Sequence, residues 1–336
     1  MNGFGGIDLN SPSLTTDEVL AVTRALARHG VTRFMPTVIT AAFERMRQTI
    51  ATITRARRMH RDVSRAVLGL HLEGPYISAQ DGPRGAHDPR WVRAPNETEL
   101  AELAAAAEGL TILLTIAPEL DGALDLIRSA RARGVVVAIG HTAADLETIA
   151  AAADAGASMS THLGNATSQL LPRHANVINA QLAEDRLLAT FIADGHHLPP
   201  HVLRTYVRAK EVSRSILVSD ATAAAAAAPG LYRLGELELS VGADRVVRFP
   251  GRDSFAGSAL SLDQAVDNTM RWCGIDLCDV IDMASLHPLR ALGHGEAWTP
   301  DAPSADLLVS SRDTGRWQIV AAQPGDASIG WLADVT

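Results

Sequence analysis

Short apolar runs rich in Val, Ile and Leu alternate along this chain with longer stretches whose apolar positions recur every three to four residues. The first pattern suits strands buried on both faces of a parallel sheet, and the second suits helices covering that sheet. Eight segments read as strands: 6–9, 33–38, 66–72, 110–117, 135–139, 158–161, 188–193 and 215–219. Helices fall between them, at Thr16 to His29, Ala41 to Arg58 and Asp145 to Ala155 among others. Their ends are punctuated. Asn96 before Glu97 opens one helix, and Gly134 and Gly156 close two more. This series predicts a (β/α)8 TIM-type barrel. A doubly wound open sheet is the alternative, and it is disfavoured because no Gly-rich fingerprint follows the first strand. After Pro229 the texture becomes strict alternation, with Leu231 to Leu239 and Val246 to Phe249 resembling a hairpin. Helical periodicity returns from Ser261 to Leu292, and Ala305 to Val309 and Gln318 to Ala322 are again strand-like. The expected organisation is a barrel over residues 1–295 with a β-hairpin insertion near 230–250, followed by a small β appendage over 296–336.

Composition adds exclusions. With 336 residues and 47% hydrophobic content the chain can bury a large core, and a net charge of −8 without a basic run argues against a nucleic-acid surface. The arginines between Arg55 and Arg65 fit a solvated helix face. Cys273 and Cys278 are too few and too closely spaced for a disulfide framework, which points to a reducing cytoplasm. No apolar run is long enough to span a bilayer, and no signal-peptide pattern opens the sequence, so a soluble protein without membrane contact is expected.

The candidate chemistry lies where the predicted strands end. The third runs out at Glu73, the fifth at His141, the sixth at His162, the seventh at Asp194-Gly195-His196-His197 and the eighth at Asp220. In a parallel barrel these ends share one rim, the rim that carries active sites. Glu73, His141 and His162 supply one carboxylate and two imidazoles, a three-ligand set that leaves a fourth position on zinc open to water. Each has a bland alternative, as a satisfied core histidine or a helix-capping carboxylate. Asp220 follows an Ile-Leu-Val strand, and a carboxylate there needs a cation or a proton.

These residues also fall within an ordered series of motifs, HLEGPYIS, RGAHDP, GHTAAD, THLGNA, FIADGHHLPP, LVSDATAAA and FAGSALSLDQAV, which resembles the N-acetylglucosamine-6-phosphate deacetylases of the amidohydrolase superfamily. The resemblance runs from residue 2 to about 310. It implies a metal-dependent barrel with a small β-sandwich appendage, and hydrolysis of the N-acetyl group of an amino-sugar phosphate. Position by position it implies Glu73, His141 and His162 as metal ligands, Asp220 as the catalytic acid and base, and His87 as the group polarising the acetyl carbonyl. It further implies sugar-phosphate contacts from Asn165, Ala166 and His197, and from the Ala256, Gly257 and Ser258 turn. Arg173 falls where the family places an arginine that reaches the phosphate bound by a neighbouring subunit, so a homodimer is implied.

The departures matter too. Asn2 takes the second place of the His-x-His pair that many amidohydrolases carry after the first strand, and Lys210, the only lysine, lies on a helix away from the strand ends. One divalent ion is therefore expected, Zn²⁺ first, with Fe²⁺, Mn²⁺ or Co²⁺ compatible with the same ligands. The family's leading strands precede Met1, so either the sequence starts late or the appendage is reduced, and unpaired edges are expected near 305–309 and 318–322. His174-Ala175-Asn176 after Arg173, and Gly164, also differ from the family pattern. They leave another N-acetylated amino sugar, or another amide, as the alternative substrate.

Overall fold

A computed structural model describes residues 1–251 and 254–294 in full, and beyond them only the backbone of 307–313 and 316–323. Two antiparallel two-residue strands open the chain, β1 (Gly3–Phe4) and β2 (Ile7–Asp8). Seven strands then form one parallel sheet in chain order: β3 (Thr37–Ile39), β4 (Gly69–Glu73), β5 (Thr111–Ile116), β6 (Val136–Ile139), β7 (Met159–Ser160), β8 (Leu188–Ile192) and β9 (Ser215–Val218). Helices connect consecutive strands, which gives a TIM-type barrel sheet.

The eighth position is filled differently from the expectation. Residues 6–9 do not join the parallel sheet, because Gly5 and Gly6 both take positive φ and reverse the chain into the β1–β2 hairpin. The residues just before that hairpin bridge the two edges instead. Thr37 N donates to Met1 O at 2.8 Å, and Asn2 N donates to Ala221 O at 2.7 Å, so residues 1–2 lie between β3 and the end of β9. Two other strands start three or four residues later than predicted. Pro36 has no N–H for a ladder, so Phe34 makes a lone bridge with Val67 and regular pairing starts at Thr37. The helix Arg61–Ala66 takes up the start of the 66–72 segment, and β4 begins at Gly69.

The pleat decides which side chains enter the barrel. Leu70, Leu72, Ile112, Leu114, Val137 and Ile139 belong to the core shared with the helices, whereas Leu113, Val136, Ala138, Met159 and Ile216 form a separate interior cluster. Because side chains alternate, His71 and Glu73 on β4 and Thr115 on β5 share the interior face. Inside, His71 Nε2 lies 2.7 Å from Thr115 Oγ1, which lies 2.7 Å from Thr161 Oγ1. Burial drives the His71 imidazole down to about 4, so it is neutral. Helix starts follow local chemistry: Thr15 and Glu18 form a capping box, and Asn96, Asp145 and Asn176 each cap with a side-chain oxygen.

The alternating stretch after Pro229 is a three-stranded antiparallel sheet, β10 (Gly230–Leu234), β11 (Leu237–Val241) and β12 (Val247–Arg248). Leu231 to Leu239 is thus two strands, not one, since Gly235 takes positive φ and turns the chain. The last described strands, β13 (Leu307–Asp313) and β14 (Arg316–Gln323), pair with each other antiparallel. The rest of the expected 296–336 appendage, and its border at 295, lie outside the described residues. Among the described residues no helix is long and apolar enough to cross a membrane.

Candidate active site

Four strand ends turn the same way. Glu73 is the last residue of β4, while His141, His162 and Asp220 each lie two residues past β6, β7 and β9. All three of the latter have positive φ, 52° for His141, 30° for His162 and 45° for Asp220. A left-handed conformation costs a non-glycine residue roughly 1–3 kcal/mol, and finding it three times at equivalent positions marks a shared turn that aims side chains across the rim. After Glu73 the turn falls to Gly74, which has φ +80° and whose missing Cβ would strike Thr40 Oγ1.

The turns converge on one point. His141 Nε2 is 3.2 Å and His162 Nε2 is 3.1 Å from Glu73 Oε1, and the two Nε2 atoms are 3.1 Å apart. All three residues are buried, and their ligand atoms lie within 4.8 Å of one another. Burial alone would push the Glu73 carboxyl up, but the hydrogen bonds to both imidazoles outweigh it and hold the group well below the usual carboxylate range. His162 moves up against its own burial, because Glu73 favours its charged form. The donor set suits a divalent ion. His141 Nδ1 donates to Pro83 O at 3.0 Å, which leaves the Nε2 lone pair to face Glu73 and His162. A carboxylate and two imidazoles are also the ligand types of hydrolytic metal sites with an open position.

Around this centre lie the other predicted residues. His87 Nε2 is 3.3 Å from His141 Nε2 with the rings edge to face, and burial together with His141 lowers its imidazole to about 3, so it is uncharged. Asp220 Oδ1 accepts from Asn2 Nδ2 at 2.9 Å. Its carboxyl is raised by burial and by the Glu73 charge. Gly257 packs a backbone against it, since a Cβ there would sit 3.7 Å from Asp220 Oδ2, and Ser258 N donates to Asp220 O at 2.9 Å. Ala256 and Ser258 are buried beside it. Asn165 hugs the same turn as His162, donating from N and Nδ2 to His162 O at 3.0 and 3.1 Å, and Ala166 has φ 48°. His197 Nδ1 bonds Asp194 Oδ2 at 2.6 Å. Arg173 stands apart, exposed on its loop and without a hydrogen bond or ion pair among the described residues. A cleft lined by Ile39, Thr40, Arg45, Trp91 and Leu234 opens nearby, but none of the converging side chains lines it.

Two residues of the site carry no assigned role in the sequence. Asn2 is visible only as a departure from His-x-His, and nothing in its spacing shows that it holds Asp220. Asp194 stands in the strand-end motif with His197, but the motif does not show that the two side chains pair.

The amidohydrolase family profile matches residues 4–296. An N-acetylglucosamine-6-phosphate deacetylase of Vibrio furnissii is 34% identical over 294 residues, 87% of this chain and 71% of the relative. This chain belongs to the N-acetylglucosamine-6-phosphate deacetylase family of amidohydrolases. An N-acetylgalactosamine-6-phosphate deacetylase of Escherichia coli O157:H7 is 36% identical over 317 residues, 94% of this chain and 81% of that protein. Among solved structures, the N-acetylglucosamine-6-phosphate deacetylase of Mycobacterium smegmatis, as a D267A mutant in complex with N-acetyl-D-glucosamine-6-phosphate, superposes with a TM-score of 0.86. It shares 31% sequence identity and covers 96% of this chain and 83% of its own. The amidohydrolase barrel and the buried Glu73, His141 and His162 cluster thus agree on a hydrolytic centre that could bind a metal ion.

Proposed function

We propose that this deacetylase-family chain hydrolyses the N-acetyl group of N-acetylglucosamine 6-phosphate, giving glucosamine 6-phosphate and acetate. The observation that carries the reading is the convergence of Glu73, His141 and His162 within 3.1–3.2 Å contacts beside a carboxylate, Asp220, whose proton affinity is raised. Glu73, His141 and His162 would hold one divalent ion, Zn²⁺ first among Fe²⁺, Mn²⁺ and Co²⁺. Such an ion supplies Lewis acidity toward the amide carbonyl and lowers the pKa of a water in its open position.

The chain's own residues do the proton work. Asp220, raised by burial and by Glu73, takes a proton from the attacking water and returns it to the leaving amine. Asn2 keeps one carboxylate oxygen occupied, so the other is the one that exchanges protons. His87 is neutral and donates to the acetyl oxygen without adding a charge that would repel the ion. Asn165, Ala166, His197 and the 256–258 turn bind the sugar phosphate. Arg173, exposed and free of partners among the described residues, is read as reaching the phosphate in a second copy of the chain, so the active form is a homodimer. Cys273 and Cys278 are free thiols, in keeping with a cytoplasmic protein.

The 36% identity to the Escherichia coli N-acetylgalactosamine-6-phosphate deacetylase favours a second reading, the C4 epimer as substrate. Acetate release measured side by side from both hexosamine phosphates tests the choice. A kcat/KM for N-acetylglucosamine 6-phosphate at or above that for its epimer supports the first reading, and a clear preference for the epimer replaces it with the second.

A further inference from the structure

Asp194 is a charged group that the mechanism above does not use, and its surroundings are unusually complete. Its side chain and that of His197 are only 11% and 9% exposed. Oδ1 accepts the backbone N–H groups of His196 and His197, both at 2.8 Å, as in an ordinary Asx turn. That turn needs only one oxygen. Oδ2 is spent elsewhere: it accepts from His197 Nδ1 at 2.6 Å and lies 3.4 Å from Ser258 Oγ. Burial would raise this carboxyl, yet His197 outweighs burial and lowers it, so the acid is ionised inside the rim.

Three consequences follow for His197. Its Nδ1 is committed as a donor, so Nε2, without a partner among the described residues, is the nitrogen left to meet a ligand. Its ring plane is held on one side by the carboxylate and on another by Phe255, 5.0 Å away between centroids. The bond itself, at 2.6 Å, is short even for a charge-assisted N–H···O contact. Ser258 ties the arrangement to the other side of the site, because its backbone N–H also donates to Asp220 O. A ligand gripped at His197 is therefore indexed against the acid and base.

We propose that Asp194 is a positioning residue for phosphate recognition, holding His197 as an imidazolium whose Nε2–H donates to a phosphate oxygen of the substrate. The inference rests on the hexosamine phosphate reading above, so two measurements keep their failures apart. The first is kcat and KM of wild type and Asp194→Asn with N-acetylglucosamine 6-phosphate and with N-acetylglucosamine. Asparagine keeps the Asx turn but offers Nδ1 an amide N–H, which makes Nδ1 an acceptor and leaves the ring uncharged. KM for the phosphorylated sugar should rise about 10-fold or more, with kcat within about threefold and the unphosphorylated sugar hardly affected. Equal losses with both sugars, or a fall in kcat at unchanged KM, would overturn the assignment. The second measurement needs neither turnover nor a folded variant: ¹⁵N-histidine spectra of the zinc-loaded wild type near pH 7, titrated with inorganic phosphate. Both His197 ring nitrogens should be protonated, with the Nε2 signal moving as phosphate is added. A singly protonated ring, or no response to phosphate, contradicts the proposal, whereas a doubly protonated, phosphate-responsive His197 in a chain that releases no acetate would sink only the functional reading.

Discussion

The metal-type centre and the Arg173 loop are built to opposite specifications. Glu73, His141 and His162 are 4%, 5% and 6% exposed, and each lies at, or two residues past, the end of a strand of one sheet. Arg173 sits on a loop where neighbouring Leu170 is 92% exposed, and its guanidinium makes no hydrogen bond or ion pair among the described residues. The contrast separates the two tasks that the proposed function assigns. Groups proposed to share an ion are set by register and pleat, whereas the long side chain proposed to reach a phosphate is left to a loop.

The first prediction strikes the rigid side. Asp220→Asn keeps the shape and the contact to Asn2 but removes the proton acceptor, so kcat should fall by about 10²–10⁴-fold with metal content unchanged. Metal loss or near-normal kcat would mean that Asp220 belongs with the ligands, or with neither group. On the loop side, Arg173→Ala should raise KM for the phosphorylated sugar by an amount matching ~1.5–3 kcal/mol, a charged hydrogen bond, and leave kcat in place. Dilution that dissociates a dimer should mimic it. An unchanged KM would show that the loop takes no part in recognition.

The contrast also explains what the sequence could reveal. Glu73, His141, His162 and Asp220 were legible because each terminates an apolar run, and strand ends in a parallel barrel meet at one rim. His87 was not readable that way: it lies on the loop after β4, reaches His141 only through tertiary folding, and was assigned by resemblance alone. Strand borders failed where a local residue overrode the apolar run, Gly5-Gly6 by reversing the chain and Pro36 by removing a ladder donor. The contacts of Asn2 with Ala221, which complete the closure of the barrel, and with Asp220 join residues more than two hundred apart in sequence, for which no spacing rule exists.

An effect on stability rather than turnover probes how firmly the rim is tied to its surroundings. Asp8 accepts from Asn10 N at 2.9 Å and from Gly235 N at 2.7 Å, joining β2 to the β10–β11 turn. Burial raises its carboxyl from 3.8 to about 6. A raised acid favours the folded state while it is protonated, so this contribution is whole below about pH 4 and is lost as pH rises through about 6. Denaturation midpoints of Asp8→Asn and wild type should diverge over that window in favour of the variant, by on the order of 3 kcal/mol. A difference that stays constant from pH 4 to 7 would show that Asp8 does not titrate there.

The central claim is that Glu73, His141 and His162 hold one divalent ion on which deacetylation depends. Acetate release from N-acetylglucosamine 6-phosphate, followed through chelation and stepwise return of Zn²⁺, tests it most directly. Turnover should vanish in chelator while the barrel stays folded, and return in full at one equivalent of metal per chain. Full turnover in chelator, or recovery only at two equivalents, would contradict it.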